Sequence, residues 1–137
     1  MGSKSVRTTA EPNLAFPKVL AGCRVLVVED NFLFASTLVR ALEHMGCQVI
    51  GPCSGVAEAA SSLGAGDPHL GILDITVVGG TSADVAYELR RRRRPFIFIT
   101  GHSTADMLPE DLRAERRLTK PLDMGRLERE LLAAMAS

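Results

Sequence analysis

Leu70-Gly71-Ile72-Leu73-Asp74 is an apolar run that ends on a carboxylate. A run of this length reads as a fully buried strand. A buried strand that stops on Asp sets an acid at the rim of a parallel sheet, where open α/β folds bind their ligands. Asp74 is therefore the first candidate for the working group of this chain.

Upstream, Arg24-Val25-Leu26-Val27-Val28 is a β-branched run that reads as a second buried strand, ending on Glu29-Asp30. Asn31 can cap the helix that follows, from Phe32 to Met45. Its apolar residues Leu33, Phe34, Leu38, Val39, Leu42 and Met45 fall at helical spacing, and Gly46 supplies a left-handed stop. Gln48 to Gly51 is a short strand, Ser54 or Gly55 opens a helix through Ala59 to Leu63, and Gly64 to Pro68 is a turn.

Downstream of Asp74, Val77-Val78-Gly79-Gly80 reads as a glycine-bearing loop. A helix runs from Ser82 or Ala83 to Arg93. Pro95 ends it and introduces the strand Phe96-Ile97-Phe98-Ile99-Thr100. Ala105 to Leu108 and Pro109 to Arg113 read as short helical turns. Arg117-Leu118-Thr119 is a fifth strand, Lys120-Pro121 follows, and Asp123 caps a last helix with Leu127, Leu131, Leu132 and Met135 on one face. Strands alternating with helices of this length imply right-handed crossovers and a doubly wound α/β fold: a five-stranded parallel sheet with helices on both faces. The chain of 137 residues suits one domain, expected over residues 22–137 behind a flexible tail at 1–21.

Composition narrows the function. Sixteen basic and sixteen acidic side chains leave a formal charge of zero, so no global field draws the chain to nucleic acid or membrane. Cys23, Cys47 and Cys53 form no CxxC pair and read as buried thiols in a reducing cytoplasm. No apolar stretch approaches the roughly 20 residues needed to span a bilayer. The run Arg90 to Arg94 tempts one towards nucleic acid. At the end of a helix, however, such cations favour the dipole, and no aromatics interleave them. Docking of an acidic partner there stays open. His44 and His69 read as structural or surface residues.

The strand ends form one constellation. Glu29 and Asp30, Asp74, Thr100 and Lys120 all fall at the same edge of a parallel sheet. Unit charges about 5 Å apart cost on the order of 3 kcal/mol per pair at an effective dielectric near 20, so three close carboxylates call for a cation. All-oxygen ligands suit Mg²⁺, or Mn²⁺, rather than zinc. A carboxylate, such a metal, a lysine and a hydroxyl make a set suited to holding a transferred phosphoryl group.

This order of motifs resembles the receiver domain of bacterial two-component response regulators, the CheY-like family. Leu26-Val27-Val28-Glu29-Asp30-Asn31 resembles its first motif, Leu73-Asp74 its phosphoacceptor motif, Thr100 its switch hydroxyl and Lys120-Pro121 its last motif. The resemblance runs from Cys23 to about Ala136. It implies a (βα)5 fold with the flavodoxin-like strand order 2-1-3-4-5. It further implies Mg²⁺ held by Asp30, Asp74 and the Thr76 main-chain carbonyl, with Glu29 acting largely through water. Asp74 would take phosphate from a sensor histidine kinase or phosphotransfer protein, Lys120 would pair with the phosphoryl group, and Thr100 would swing inward to it. Thr76 and His102 would flank the site and tune its hydrolysis.

Two places depart from the family pattern. Val77-Val78 stands where Met-Pro is usual, and Arg117 stands where an aromatic normally follows the threonine inward. Phe98, Thr100 and Gly101, with Gly79-Gly80, are similar to the FATGUY group of stand-alone receivers, which implies a kinase of the HWE or HisKA2 type as partner. Residues 133–137 are too few for an output module, so the expected output, unless the chain is a fragment of a longer protein, is protein contact, by a monomer or a phosphorylation-dependent dimer. Two other classes compete: a degenerate interaction module that takes no phosphate, and a Mg²⁺-dependent phosphatase of the haloacid dehalogenase type. The latter needs a second Asp two residues after the nucleophile, where this chain has Thr76.

Overall fold

The computed structural model describes residues 20–101 and 105–136. Its main strands are β1 (Arg24–Val28), β2 (Gln48–Cys53), β3 (Leu70–Asp74), β6 (Phe96–Thr100) and β7 (Arg117–Thr119). Its helices are α1 (Phe32–His44), α2 (Val56–Ala65), α3 (Ala83–Arg91) and α4 (Met124–Ala136). The five strands make one sheet in the order β2-β1-β3-β6-β7, and every neighbouring pair is parallel. This is the expected doubly wound order.

The three central strands, β1, β3 and β6, alternate their side chains between two apolar layers, the period of two of a pleated strand buried on both sides. Leu26, Val28, Leu73, Phe96 and Phe98 pack with Ala59 and Leu63 of α2 and Val85, Ala86 and Leu89 of α3. Val25, Val27, Ile72, Ile97 and Ile99 pack on the other face with Leu38 and Leu42 of α1 and Leu127, Leu131 and Ala134 of α4. Gly71 admits α3 against β3, since a Cβ there would lie 2.5 Å from Leu89 Cδ1.

The local signals act as read. Asn31 Oδ1 accepts the Phe34 N–H at 2.9 Å, and Gly46 takes φ +93° beyond α1. Asp123 Oδ1 accepts the N–H groups of Gly125 (2.8 Å) and Arg126 (3.3 Å) at the start of α4. The cysteines are free and buried. His69 is structural, its Nδ1 accepting the Arg24 N–H.

The fourth crossover holds two 3₁₀ turns, Ala105–Met107 and Glu110–Leu112, the short helical turns expected there. Several expectations need correction. Strand β2 continues past Gly51 to Cys53, against a register shift in β1. Helix α3 stops at Arg91, and Arg93 adopts φ +60°. The stretch after Asp74 is not an open loop: β4 (Thr76–Val77) and β5 (Gly80–Thr81) pair as a small antiparallel hairpin. The buried face of α4 is Leu127, Leu131 and Ala134, while Leu132 and Met135 stay 37% and 40% exposed. An i, i+4, i+7 stripe is narrower than the four residues the sequence offered. Leu20, assigned to the tail, is buried. Residues 1–19 of that tail and His102 lie outside the described residues. Among the described residues no helix is long and apolar enough to cross a membrane.

Candidate functional site

Parallel strands β1, β3, β6 and β7 deliver Glu29, Asp74, Thr100 and Lys120 to one edge, as the register requires. Asp74 lies opposite Ile99 on β6, and the Lys120 N–H donates to the Thr100 carbonyl at 2.8 Å. Carboxylate oxygens of Glu29, Asp30 and Asp74 lie within 4.8 Å of one another. Glu29, Asp74 and Thr100 are buried, whereas Asp30 is exposed. The cluster therefore has one dry side and one open to water.

Lys120 bridges the acids. Its Nζ lies 2.8 Å from Glu29 Oε1 and 3.3 Å from Asp74 Oδ2. The other oxygen of Glu29 accepts the Asn31 N–H at 2.9 Å, which ties the acidic pair to the α1 cap. Burial first, and then the neighbouring Glu29, push the Asp74 carboxyl up to about 6, with Lys120 pulling the other way. Burial works against charge on Lys120, but Glu29 and Asp74 outweigh it and hold the ammonium above the usual lysine range.

One lysine does not satisfy three carboxylates. Glu29 Oε1 is the buried side-chain oxygen left without a hydrogen bond among the described residues, with the Lys120 ammonium 2.8 Å away as its close positive charge. An all-oxygen donor set, crowded, partly dry and short of positive charge, fits a hard divalent cation such as Mg²⁺.

Of the residues singled out in the sequence, Glu29, Asp30, Asp74, Thr100 and Lys120 converge. Thr76 is half-buried in the first strand of the hairpin, paired with Thr81. Arg117 is exposed, and its guanidinium donates to the Arg113 carbonyl at 2.5 Å. The Arg90–Arg94 run is largely ion-paired at the surface: Arg90 with Asp111 and Glu115, Arg91 and Arg92 with Glu88, Arg94 with Asp67.

Three neighbours went unread. Ser82 is fully buried, and its hydroxyl donates to the main-chain carbonyl of Asp74 at 2.7 Å. Its N–H donates to the Ile75 carbonyl at 3.0 Å, so it braces the chain at the acid and just after it. The hairpin tip joins α2, with Val78 N–H on the Ser54 carbonyl (3.2 Å) and Val56 N–H on the Val78 carbonyl (3.0 Å). Phe34 lies with its ring centroid 4.2 Å from Lys120 Nζ. A helix-spaced Phe and a Ser at a helix start carry no signal of these contacts.

The family model for the response regulator receiver domain matches residues 25–132. The transcriptional regulatory protein TcrA of Mycobacterium tuberculosis is 32% identical over 133 residues, which cover 94% of this chain and 52% of that protein. This chain spans about half the length of the curated relatives it matches. The solution structure of SdrG from Sphingomonas melonis Fr1 superposes with a TM-score of 0.73 at 32% identity, covering 85% of this chain and 98% of that one. The receiver domain of a Pseudomonas aeruginosa sensor histidine kinase, with a magnesium ion coordinated in its active-site cleft, shares the fold. Its TM-score is 0.70 at 24% identity, covering 85% of this chain and 100% of that one.

Proposed function

Because this chain belongs to the response regulator receiver domain family, we propose that it accepts a phosphoryl group on Asp74 and signals through protein contact. The observation that carries the reading is the position of Asp74. It is a buried carboxylate at the end of the central strand, grouped with two further acids and 3.3 Å from an ammonium.

The donor is a phosphohistidine of a sensor histidine kinase, of the HWE or HisKA2 type, or of a phosphotransfer protein. An Asp74 oxygen bonds to phosphorus, the phosphorus–nitrogen bond breaks, and the imidazole leaves and takes up a proton. Lys120 moves from its carboxylates to an equatorial phosphoryl oxygen, and the Thr100 hydroxyl donates to another. Glu29, Asp30 and Asp74, with the Thr76 main-chain carbonyl, would hold Mg²⁺ (or Mn²⁺), which when bound offsets carboxylate repulsion and the charge of the phosphoryl oxygens. The magnesium-bearing Pseudomonas receiver supports that assignment by its shared fold. Thr76 and His102 tune the access of water; equal dephosphorylation rates for wild type and His102→Ala would remove that role for His102. The protein works in the cytoplasm, as a monomer or a phosphorylation-dependent dimer, with a downstream protein as its target.

The test is intact mass after incubation with Mg²⁺ and acetyl phosphate, or with a phosphorylated kinase. A base-labile phosphate adduct, absent from Asp74→Asn and after chelation, is expected. No adduct with any donor would leave an interaction module, and rapid multiple turnover would indicate a phosphatase.

A further inference from the structure

The ring of Phe34 lies against the site, and the phosphoryl-transfer scheme does not use it. Phe32 and Leu33, its neighbours on the first turn of α1, are 79% and 76% exposed, whereas Phe34 turns inward and is half-buried. Its ring centroid lies 4.2 Å from Lys120 Nζ, well inside the roughly 6 Å limit for attraction between a cation and an aromatic face. The same ammonium lies against Glu29 Oε1 at 2.8 Å and Asp74 Oδ2 at 3.3 Å. Lys120 is thus held between two carboxylates and one π face.

The helix start sets this arrangement. The Asn31 N–H donates to Glu29 and the Asn31 side chain accepts from the Phe34 N–H, so one short circuit of contacts joins acid, cap and ring. A lysine side chain carries four rotatable bonds and wanders unless held. A carboxylate in place of the ring would hold it too, but would also compete for its protons. A π face attracts the charge and accepts little from the N–H groups, so it holds the ammonium near Asp74 without adding a third strong acceptor that a phosphoryl oxygen would have to displace.

We propose that Phe34 is a positioning residue for phosphoryl transfer: its ring holds the Lys120 ammonium beside Asp74, ready to take up the phosphoryl oxygens. The proposal rests on the assignment of Asp74 as phosphoacceptor. It concerns how the lysine is held, not which residue reacts.

The experiment replaces Phe34 site-specifically with ring-fluorinated phenylalanines, which keep the shape and drain the π face in steps. Phe34→Leu and Phe34→Tyr serve as flanking variants. With acetyl phosphate and Mg²⁺, the Asp74–phosphorus bond forms as the phosphorus–oxygen bond to acetate breaks, and intact mass follows the rate. That rate should fall stepwise with fluorination, about three- to tenfold across the series. Phe34→Leu should fall at least as far, and Phe34→Tyr should keep the wild-type rate. A flat fluorine series, in proteins that still form the adduct, overturns the proposal and leaves the Asp74 assignment standing.

An adduct missing from wild type would overturn that assignment instead. A second reading needs no phosphate: the Lys120 ε-methylene protons should show an upfield ring-current shift in wild type that Phe34→Leu abolishes. Random-coil values in wild type would overturn the contact itself.

Discussion

Asp74 is held in an environment that opposes its own charge. Its carboxyl is raised to about 6 by burial and by Glu29. A group whose folded pKa lies above its unfolded value binds its proton more tightly in the folded state, so stability falls as pH rises between the two. In metal-free protein, Asp74→Asn should match wild type near pH 4 and gain an advantage as pH rises through about 6. The gain should level off above pH 7 at on the order of 2 kcal/mol. Chemical denaturation of both proteins across that range measures it, and an advantage independent of pH would contradict the raised carboxyl. Asp74 was legible because an acid ending a fully apolar run is unusual. Ser82 was not, because a Ser before a helix reads as a cap, and nothing local shows its hydroxyl turning back to the Asp74 carbonyl.

The small hairpin after β3 is the element that departs most from expectation. Val77-Val78-Gly79-Gly80 reads as a loop because glycines punctuate strands. The structure pairs Thr76 with Thr81 and Val77 with Gly80, with Gly79 and Gly80 at φ +94° and +135°. Its tip docks on the start of α2 so closely that a Cβ on Gly55 would lie 2.4 Å from the Val78 carbonyl oxygen and 2.9 Å from Val78 Cβ. Gly55→Ala should therefore force the hairpin off α2 and cost about 1–3 kcal/mol by overpacking. A denaturation midpoint measures the cost, and amide exchange at Val56 and Val78 should quicken; wild-type protection at both amides would show that the contact yields freely. The β6–β7 connection follows the same logic. Arg117 tethers it through the Arg113 carbonyl, and Arg90 tethers it through Asp111 and Glu115. These polar ties act beside the buried Leu108 and Leu112, and their partners are 21 to 25 residues apart or hidden in main-chain carbonyls.

At the scale of the molecule, the sheet gathers charge that its neutral composition conceals. Sixteen bases and sixteen acids cancel along the chain, yet three of the acids meet within 4.8 Å at one edge. A cation that binds there and not to the unfolded chain must stabilise the fold by mass action, about 1.4 kcal/mol at tenfold excess over its Kd. Mg²⁺ should therefore raise the thermal midpoint of wild type and leave that of Asp30→Asn nearly unmoved; equal shifts in both would place the ion elsewhere. The sequence by itself determined the alternation of strands and helices, the two-sided burial of β3 and the set Glu29, Asp30, Asp74, Thr100 and Lys120. Those follow from periodicity and from where apolar runs stop, which are local properties. Only the tertiary structure decided that Phe34 faces Lys120, that Ser82 braces Asp74 and that the hairpin locks onto α2. Each of these joins residues from different elements, and their juxtaposition depends on how helices settle on the sheet, which no spacing along the chain records.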